Sequence, residues 1–313
     1  MNDINAGQAT SLRNPRPGSK IRRQWREWLA GYLMLLPNFL GFFIFMLAPI
    51  VATIMIGFTN WDLITPPRWV GFLNYQLLFR DPVFWNALKV TVFFTVVNVP
   101  IQSFLALLIA LLLNRKLKAL NLFRTLFISP WICMPVAIGL SWYWIYNREF
   151  GYLNHLIAML NVTRVGWLTS QDIAIWSILT VNVWEFLGYH IILLLAALQI
   201  VPQDLHEAAL VDGANGWIRF WRITMPVISP IFFYDLVVNM ISTLQIFDLP
   251  FAMTNGGPGN SARVFNLYLY QKGFQFLQMG QASAMGVVLF IIIIICTVLT
   301  FKFIGSRVNY DVS

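Results

Sequence analysis

The sequence has little charge, few cysteines and few histidines. Asp, Glu, Lys and Arg together make up 11% of its 313 residues, with 2 Cys and 3 His. Cys133 and Cys296 lie in apolar segments, where small buried residues are expected, so a disulfide framework has no support. The histidines lack both H-E-x-x-H spacing and cysteine neighbours. No metal site is therefore predicted.

Two motifs of catalytic chemistry are also missing. The chain has no G-x-x-x-x-G-K-[ST] sequence, whose backbone would bind the phosphates of ATP. It has no G-x-S-x-G nucleophile turn either. We therefore expect neither a catalytic site nor a bound cofactor in this chain, and any energy from ATP must come from another subunit.

The sequence is rich in apolar residues. Its hydrophobic share is 58%, against about 45–50% in a typical soluble domain. A transmembrane helix needs roughly 20 mostly apolar residues. Segments of that kind are predicted at 29–59, 86–114, 120–146, 172–200, 227–253 and 281–304. The fold class is therefore all-α, a polytopic membrane protein with six transmembrane helices and both termini on one side.

The distribution of Lys and Arg orients these helices, because positive residues are retained on the cytoplasmic face. Most of the 21 Lys and Arg residues fall in the tail 1–28, near 115–124, in the segment 203–226 and beside the tail 305–313. Both termini are therefore predicted to be cytoplasmic, with loops 60–85, 147–171 and 254–280 outside. The net charge of +8 then reflects topology and contact with anionic lipid, and nucleic acid is not an expected partner.

The segment Leu205–Pro226 is unusually polar for its position between two predicted spans. Asp204 and Glu207 have the spacing of a capping box, which predicts a short helix that ends at Gly213. A second short helix is predicted near Asn215, ending before Pro226 opens the fifth span. Two interpretations follow from the residues: a surface where another protein docks, or an interfacial hairpin without a partner.

The same segment resembles the E-A-A motif of ABC importer permeases, E-A-A-x3-G-x9-I-x-L-P. The matching residues are Glu207, Ala208, Ala209, Gly213, Ile223 and Pro226, and Asp212 lies beside the glycine. Met225 stands where the family usually has Leu, a change that conserves volume. In that family the segment is the coupling helix, which sits in a groove of the ATP-binding subunit. The resemblance implies that role for these seven residues.

A second segment, Met253–Ser261 (M-T-N-G-G-P-G-N-S), resembles the T-x-G-G-P sequence of carbohydrate-type permeases, the group of the maltose and glycerol-3-phosphate permeases. This resemblance implies an ABC type I importer permease fold over residues 29–304, in a bacterial or archaeal cytoplasmic (inner) membrane. It also implies a second permease subunit, two ATPase subunits that hold ATP and Mg, and an extracytoplasmic solute-binding protein. The expected solute is a sugar or oligosaccharide, with a glycerol-3-phosphate-type or other polar solute as the alternative.

Polar residues inside predicted spans are costly unless they face a cavity or one another. Two spans carry such residues on one helical face. The residues predicted to line a solute path are Trp184, Glu185, Tyr189, Asn239, Ser242, Gln245 and Asp248. Asp235 is predicted to serve packing or gating. The alternative is that these groups only join helices, at about 0.6 to 2 kcal/mol per contact.

A different class of function also fits the acidic residues. Glu185, Asp235 and Asp248 could couple protons to transport in a self-sufficient secondary carrier. Such carriers are often built from internal repeats. We find no internal repeat in this sequence, and six spans are few for a carrier. The residues therefore favour the importer subunit.

Overall fold

The computed structural model describes residues 17–115 and 120–305, which form α-helices joined by loops. Within these ranges the only extended pairing is an isolated antiparallel bridge between Thr59 and Trp69. The prediction of an all-α fold is confirmed. Most of the predicted tails (1–16 and 306–313) and part of the basic segment at 116–119 lie outside the described residues.

The chain divides into two compact units between Met55 and Ile56. The first contains α1 (Pro17–Phe42), a π turn (Phe43–Leu47) and nearly all of α2 (Ala48–Ile56). The π turn ends two residues before Pro49, and the Ala48 N–H bonds the carbonyl of Phe43 five residues back. Proline has no N–H to donate and crowds the carbonyl four residues before it, which accounts for the local widening.

The second unit holds the remaining helices. They are α3 (Leu73–Arg80), α4 (Pro82–Leu113), α5 (Leu120–Ile132), α6 (Pro135–Ile145), α7 (Tyr152–Ala158), α8 (Ala174–Ile200), α9 (Gln203–Val211), α10 (Gly216–Arg219), α11 (Met225–Leu244), α12 (Asp248–Thr254), α13 (Phe265–Tyr270) and α14 (Met279–Phe303). Two further π turns cover Phe220–Thr224 and Gln271–Gln275.

Among the described residues, five helices are long and apolar enough to cross a membrane, and a sixth span results if one bent pair is counted as a single crossing. The five are Glu27–Ile56, Pro82–Leu113, Ala174–Ile200, Gly216–Leu244 and Met279–Phe303. They correspond to five of the six predicted spans, although the boundaries differ by up to about a dozen residues.

The third predicted span, 120–146, is not one straight helix. It consists of α5 and α6, which are bent by 96°. Pro135 begins α6, and Met134 before it has an extended backbone with ψ at 123°. A residue that precedes proline is driven out of the helical region by the proline ring, so the bend follows from the sequence at this position.

The fifth predicted span, 227–253, is wrong at both ends. Its helix already begins at Gly216, continues through the π turn Phe220–Thr224 and stops at Leu244. The chain then breaks and restarts as α12. The restart places Pro250 in the first turn of a new helix, where its missing N–H has no intrahelical partner to lose.

The centre of the second unit is formed by α4, α8 and α11, with α5 packed on α8 and α12 packed on α6. Glycine permits the closest of these contacts. A Cβ at Gly188 in α8 would lie 1.9 Å from the Phe127 carbonyl oxygen of α5. At Gly139 in α6 it would lie 2.7 Å from the Ala252 Cβ of α12. These contacts hold the two halves of the bent span against the helices that carry the polar residues.

Candidate functional site

The segment that resembles the E-A-A motif forms a helix, a glycine bend and a second helix. The first helix, α9, ends in a Schellman motif: the Gly213 N–H bonds the Leu210 carbonyl at 3.0 Å, and the Ala214 N–H bonds the Ala209 carbonyl at 2.9 Å. Gly213 has φ at +77°, a left-handed conformation that favours glycine. The predicted bend at this residue is therefore present.

The predicted capping box at the start of this segment is wrong. The helix begins at Gln203 with Pro202 as N-cap, and no side chain caps it. Glu207 instead accepts a hydrogen bond from Gln203 Nε2 at 2.8 Å. Asp204 lies inside the first turn, where its charge still complements the positive end of the helix dipole.

The second half of the segment is continuous with a membrane helix. Asn215 caps α10 by accepting a 2.9 Å bond from the Ile218 N–H. The helix then continues through the π turn, which ends two residues before Pro226, into α11. The second helix begins near Asn215 as predicted, but it does not end before Pro226. One continuous helix therefore joins the bend at Gly213 to the end of α11.

Large apolar side chains are exposed on both sides of this bend. Val211 is 89% exposed and Trp217 is 71% exposed, and Trp221 packs edge-on against Trp217 with ring centroids 5.7 Å apart. Of the seven residues assigned by resemblance, Glu207, Ala208, Asp212 and Gly213 are exposed, while Ala209, Ile223 and Pro226 are half-buried. The segment thus presents its motif residues at the surface.

A cavity of about 340 Å³ lies between the central helices. Its lining combines amide, hydroxyl, imidazole and carboxylate groups with aromatic rings. The lining residues are Gln102, Trp131, Pro135, Asn182, Phe186, Tyr189, His190, Val238, Asn239, Ser242, Thr243, Gln245, Ile246, Phe247, Asp248 and Leu249. None of them is Lys or Arg. The break between α11 and α12 contributes three consecutive lining residues, 245–247, to the wall, and Asp248 at the start of α12 follows them.

The cavity brings together five of the seven residues predicted to line a solute path: Tyr189, Asn239, Ser242, Gln245 and Asp248. The other two lie outside its lining. Trp184 is 45% exposed and packs edge-on against Trp142 at a centroid distance of 5.5 Å. Glu185 is fully buried, and neither carboxylate oxygen has a hydrogen-bond partner among the residues that the structure describes.

The sequence interpretation missed the contribution of α4 and α5, which supply Gln102 and Trp131. For α4 a signal was available, since Thr91, Thr95, Asn98 and Gln102 recur at helical spacing inside an otherwise apolar span. For Trp131 there was none, because its position depends on the bend after Ile132.

A buried polar network lies beside the cavity. His190 Nδ1 lies 2.6 Å from Asp235 Oδ1, and Ser103 Oγ donates to Asp235 Oδ2 at 3.1 Å. Asn239 Nδ2 donates to the same Ser103 oxygen at 3.4 Å. All four residues are buried. The network joins α4, α8 and α11, which agrees with the packing role predicted for Asp235 and fixes His190 and Asn239 at the cavity wall.

No cluster of His, Cys, Asp and Glu suitable for a metal ion occurs in the described part of the chain.

The Gly-Gly-Pro segment predicted outside the membrane forms a sharp turn: Asn255, Gly256 and Gly259 have positive φ, and the Gly257–Pro258 peptide bond is cis. Helix α13 and the π turn Gln271–Gln275 follow this turn and contact the N-cap of α4, where Asp81 accepts a hydrogen bond from Tyr268 Oη and lies 3.5 Å from Lys272 Nζ.

The fold and the cavity define a helical membrane permease, and residues 79–310 match the family described as "Binding-protein-dependent transport system inner membrane component". The chain belongs to this family. It is similar to the probable ABC transporter permease protein YesP of Bacillus subtilis (strain 168), with 35% identity over 297 residues, covering 93% of this chain and 96% of the relative.

Two further comparisons agree. The trehalose/maltose transport system permease protein MalF of Thermococcus litoralis is 32% identical over 285 residues, covering 91% of this chain and 96% of the relative. A crystal structure of a bacterial ABC transporter that imports the acidic polysaccharide alginate matches with a TM-score of 0.77 and 25% identity, covering 91% of this chain and 99% of that one. The sequence prediction of an ABC importer permease is confirmed.

Proposed function

We propose that this chain forms one membrane half of an ATP-driven importer and carries an uncharged carbohydrate through the cavity between α4, α8 and α11. The observation that supports the solute class is the lining of that cavity. Amides, hydroxyls and one carboxylate can share hydrogen bonds with sugar hydroxyls, while Trp131, Phe186, Tyr189 and Phe247 offer rings for the apolar faces of a pyranose.

The charge of the lining favours a neutral solute over an acidic one. Asp248 contributes a carboxylate, and no Lys or Arg lies in the wall. His190 is held by Asp235, whose other oxygen accepts from Ser103. An anionic sugar would bring a second negative charge near Asp248, with no Lys or Arg among the described lining residues to compensate it, which is unfavourable.

Energy must come from elsewhere, because the chain has no P-loop. In the proposed complex, two ATPase subunits hold ATP and Mg, a second permease completes the membrane part, and an extracytoplasmic protein delivers the solute. The exposed motif residues around Gly213 are the contact for one ATPase. Both termini lie in the cytoplasm, as does the coupling segment 203–226.

The proposed mechanism is alternating access. Closure of the ATPase pair moves the bend at Gly213, and the continuous helix Gly216–Leu244 transmits that movement to the cavity wall. A solute or partner can shift such an equilibrium only by binding one state better, so the delivery protein must favour the outward-open state. ATP hydrolysis then resets the cycle.

Co-purification from the native membrane tests the complex. We would tag this chain, solubilise it gently and identify the retained subunits by mass spectrometry, expecting a second permease and an ATPase. A lone chain or homo-oligomer, reproduced after cross-linking, would contradict the proposal and favour the proton-coupled carrier. Uptake of neutral maltose and trehalose, compared with uronate oligosaccharides, by the reconstituted complex tests the solute class.

A further inference from the structure

One face of α4 carries buried polar residues along the length of the second unit's core. Thr91, Thr95, Asn98 and Gln102 recur every three to four residues and are between 0% and 7% exposed. The two threonines are satisfied within the protein: Thr95 Oγ1 donates to the Thr91 carbonyl at 2.9 Å, and Thr91 Oγ1 accepts from the Phe265 N–H at 2.8 Å. They need no ligand.

The two amides on the same face are only half satisfied. Asn98 Nδ2 donates to Gln102 Oε1 at 2.7 Å, which fixes the orientation of the Gln102 side chain. Within the described parts of the chain, Gln102 Nε2 has no hydrogen-bond partner, although the residue is 1% exposed. A buried donor left without an acceptor is destabilising, so such groups usually have a functional or solvent partner.

The missing acceptor can come from the cavity, because Gln102 is part of its lining and Asn98 is not. We propose that Gln102 is a solute-binding residue, contributed by α4, whose amide N–H group donates to an acceptor oxygen of the transported sugar. Asn98 is a positioning residue that holds the Gln102 oxygen and thereby directs its NH₂ group away from the Asn98 side chain. This assignment rests on the proposed transport of a carbohydrate.

The chemistry of a second lining residue, Asp248, fits this role. Asp248 is an acceptor when ionised and so recognises sugar hydroxyls as donors. Ring and glycosidic oxygens can only accept, and they need a donor such as Gln102 Nε2. A sugar that lies across the cavity would thus be recognised through both kinds of oxygen.

Cysteine accessibility tests the position of Gln102 without any solute. In the full complex in proteoliposomes, with Cys133 and Cys296 replaced by Ala, we would introduce Gln102→Cys and treat it with 2-aminoethyl methanethiosulfonate. The control is Ala106→Cys, one turn further along α4 in an apolar cluster and fully buried. Because Gln102 lines the cavity and Ala106 is buried among apolar side chains, we expect the reagent to modify Gln102→Cys at least about ten times faster than Ala106→Cys. A tenfold ratio of rates corresponds to about 1.4 kcal/mol in activation free energy. Equal rates would overturn the proposal.

Uptake of maltose and trehalose tests whether the Gln102 amide N–H group is needed as a hydrogen-bond donor to the sugar. Gln102→Glu keeps the size of the side chain and removes its donors, so we expect sugar transported per ATP hydrolysed to fall about 3- to 10-fold, as for loss of one net hydrogen bond. Asn98→Asp should produce a similar fall, because an acidic acceptor at this position draws the Gln102 amide N–H group toward itself. Because uptake is divided by the ATP hydrolysed in the same proteoliposomes, a smaller amount of assembled complex does not by itself produce this fall.

The matched control is Thr95→Val, which has nearly the same shape, lies on the same face of α4 and does not line the cavity. It should transport like the unaltered chain. Wild-type uptake by Gln102→Glu, or an equal loss in all three variants, would refute the assignment. If the unaltered complex takes up neither sugar, the proposed solute is wrong, and the cysteine experiment still decides whether Gln102 faces the cavity.

Discussion

The imidazole of His190 and the carboxylate of Asp235 form a buried pair across two helices, with His190 Nδ1 2.6 Å from Asp235 Oδ1. Because Ser103 donates to the other carboxylate oxygen, one aspartate holds α8 and α4 against α11. Removal of one partner from a buried pair leaves the other without compensation. The pair therefore provides a direct test of what keeps the cavity wall in place.

We expect Asp235→Ala to lower the free energy of unfolding by about 3 kcal/mol, the usual cost of breaking a buried pair. Asp235→Asn should cost less, because its amide oxygen can still accept from His190 and its shape is retained. Tryptophan fluorescence during thermal unfolding of the purified complex measures both. If Asp235→Ala unfolds at the same temperature as the unaltered chain, the network does not stabilise the wall.

Substitution of Gly213, at the bend of the coupling segment, gives a second test, and Gly216 nearby serves as its control. Gly213 has φ at +77° and open space around it, so Gly213→Ala introduces backbone strain without a clash, at a cost of about 1 to 2 kcal/mol. Gly216, three residues later, also has open space and lies in a helix with ordinary φ. Gly216→Ala should therefore be neutral or slightly favourable.

The expected result is that Gly213→Ala lowers uptake and the stimulation of ATP hydrolysis together, while Gly216→Ala leaves both unchanged. Uptake and phosphate release from the same proteoliposomes give the two readouts. Equal behaviour of the two variants would show that the left-handed bend is not required for coupling.

Much of the fold could be predicted from the sequence, because a bilayer imposes long apolar helices and the apolar runs are evident. The breaks were less visible. Pro135 and Pro250 both signal an interruption, yet the long apolar runs at 120–146 and 227–253 concealed it. Proline within a membrane helix is also common, so the residue alone does not predict a 96° bend.

The residues that line the cavity could also be predicted only in part, because helical spacing shows which residues share a face but not what that face packs against. Helical spacing on α8 and α11 correctly grouped Tyr189, Asn239 and Ser242. Spacing alone could not decide which residues of α8 line the cavity, and Trp184 and Glu185, which were grouped with Tyr189, are not among them. That decision depends on tertiary contacts such as the close approach at Gly188.

Gly188 permits a test of the contact between α5 and α8. A Cβ at this residue would lie 1.9 Å from the Phe127 carbonyl oxygen and 2.9 Å from the Ile128 Cα, both backbone atoms that cannot rotate away. Gly188→Ala should therefore force the helices apart and destabilise the protein by about 1 to 3 kcal/mol. Thermal unfolding measures this change, with Gly216→Ala as the control, and an unchanged unfolding temperature would contradict the packing.

The cluster around Asp81 predicts a dependence on pH outside the membrane. Burial raises the pKa of Asp81, but hydrogen bonds from Tyr268 and from the Val83 N–H, together with the charge of Lys272, outweigh it and lower the pKa below its ordinary value of 3.8. A lowered pKa stabilises the fold above the unfolded value, and this contribution is lost as the pH falls through the folded value.

The unaltered chain should therefore unfold at a higher temperature than Asp81→Asn from pH 5 to 7, and the difference should shrink below about pH 4. Tyr268→Phe removes the hydroxyl that donates to Asp81 but keeps the ring beneath Arg263 and Lys272. It should lose part of the same difference. A gap between the unaltered chain and Asp81→Asn that persists at pH 3 would mean that packing, not the charge of Asp81, is responsible.

Glu185 distinguishes the importer from the proton-coupled carrier. Its carboxylate oxygens have no hydrogen-bond partner in residues 17–115 and 120–305, and it does not line the cavity. Glu185→Gln therefore removes no hydrogen bond seen in the structure and avoids the cost of burying a charge. We expect uptake to stay within about twofold of the unaltered complex. Asp248→Asn, in the cavity wall, should reduce uptake by about tenfold or more, as for a hydrogen bond to a charged group. The reverse order would indicate that Glu185 contacts the solute or carries the proton of a secondary carrier, since a proton-coupling carboxyl cannot be replaced by an amide without loss of transport.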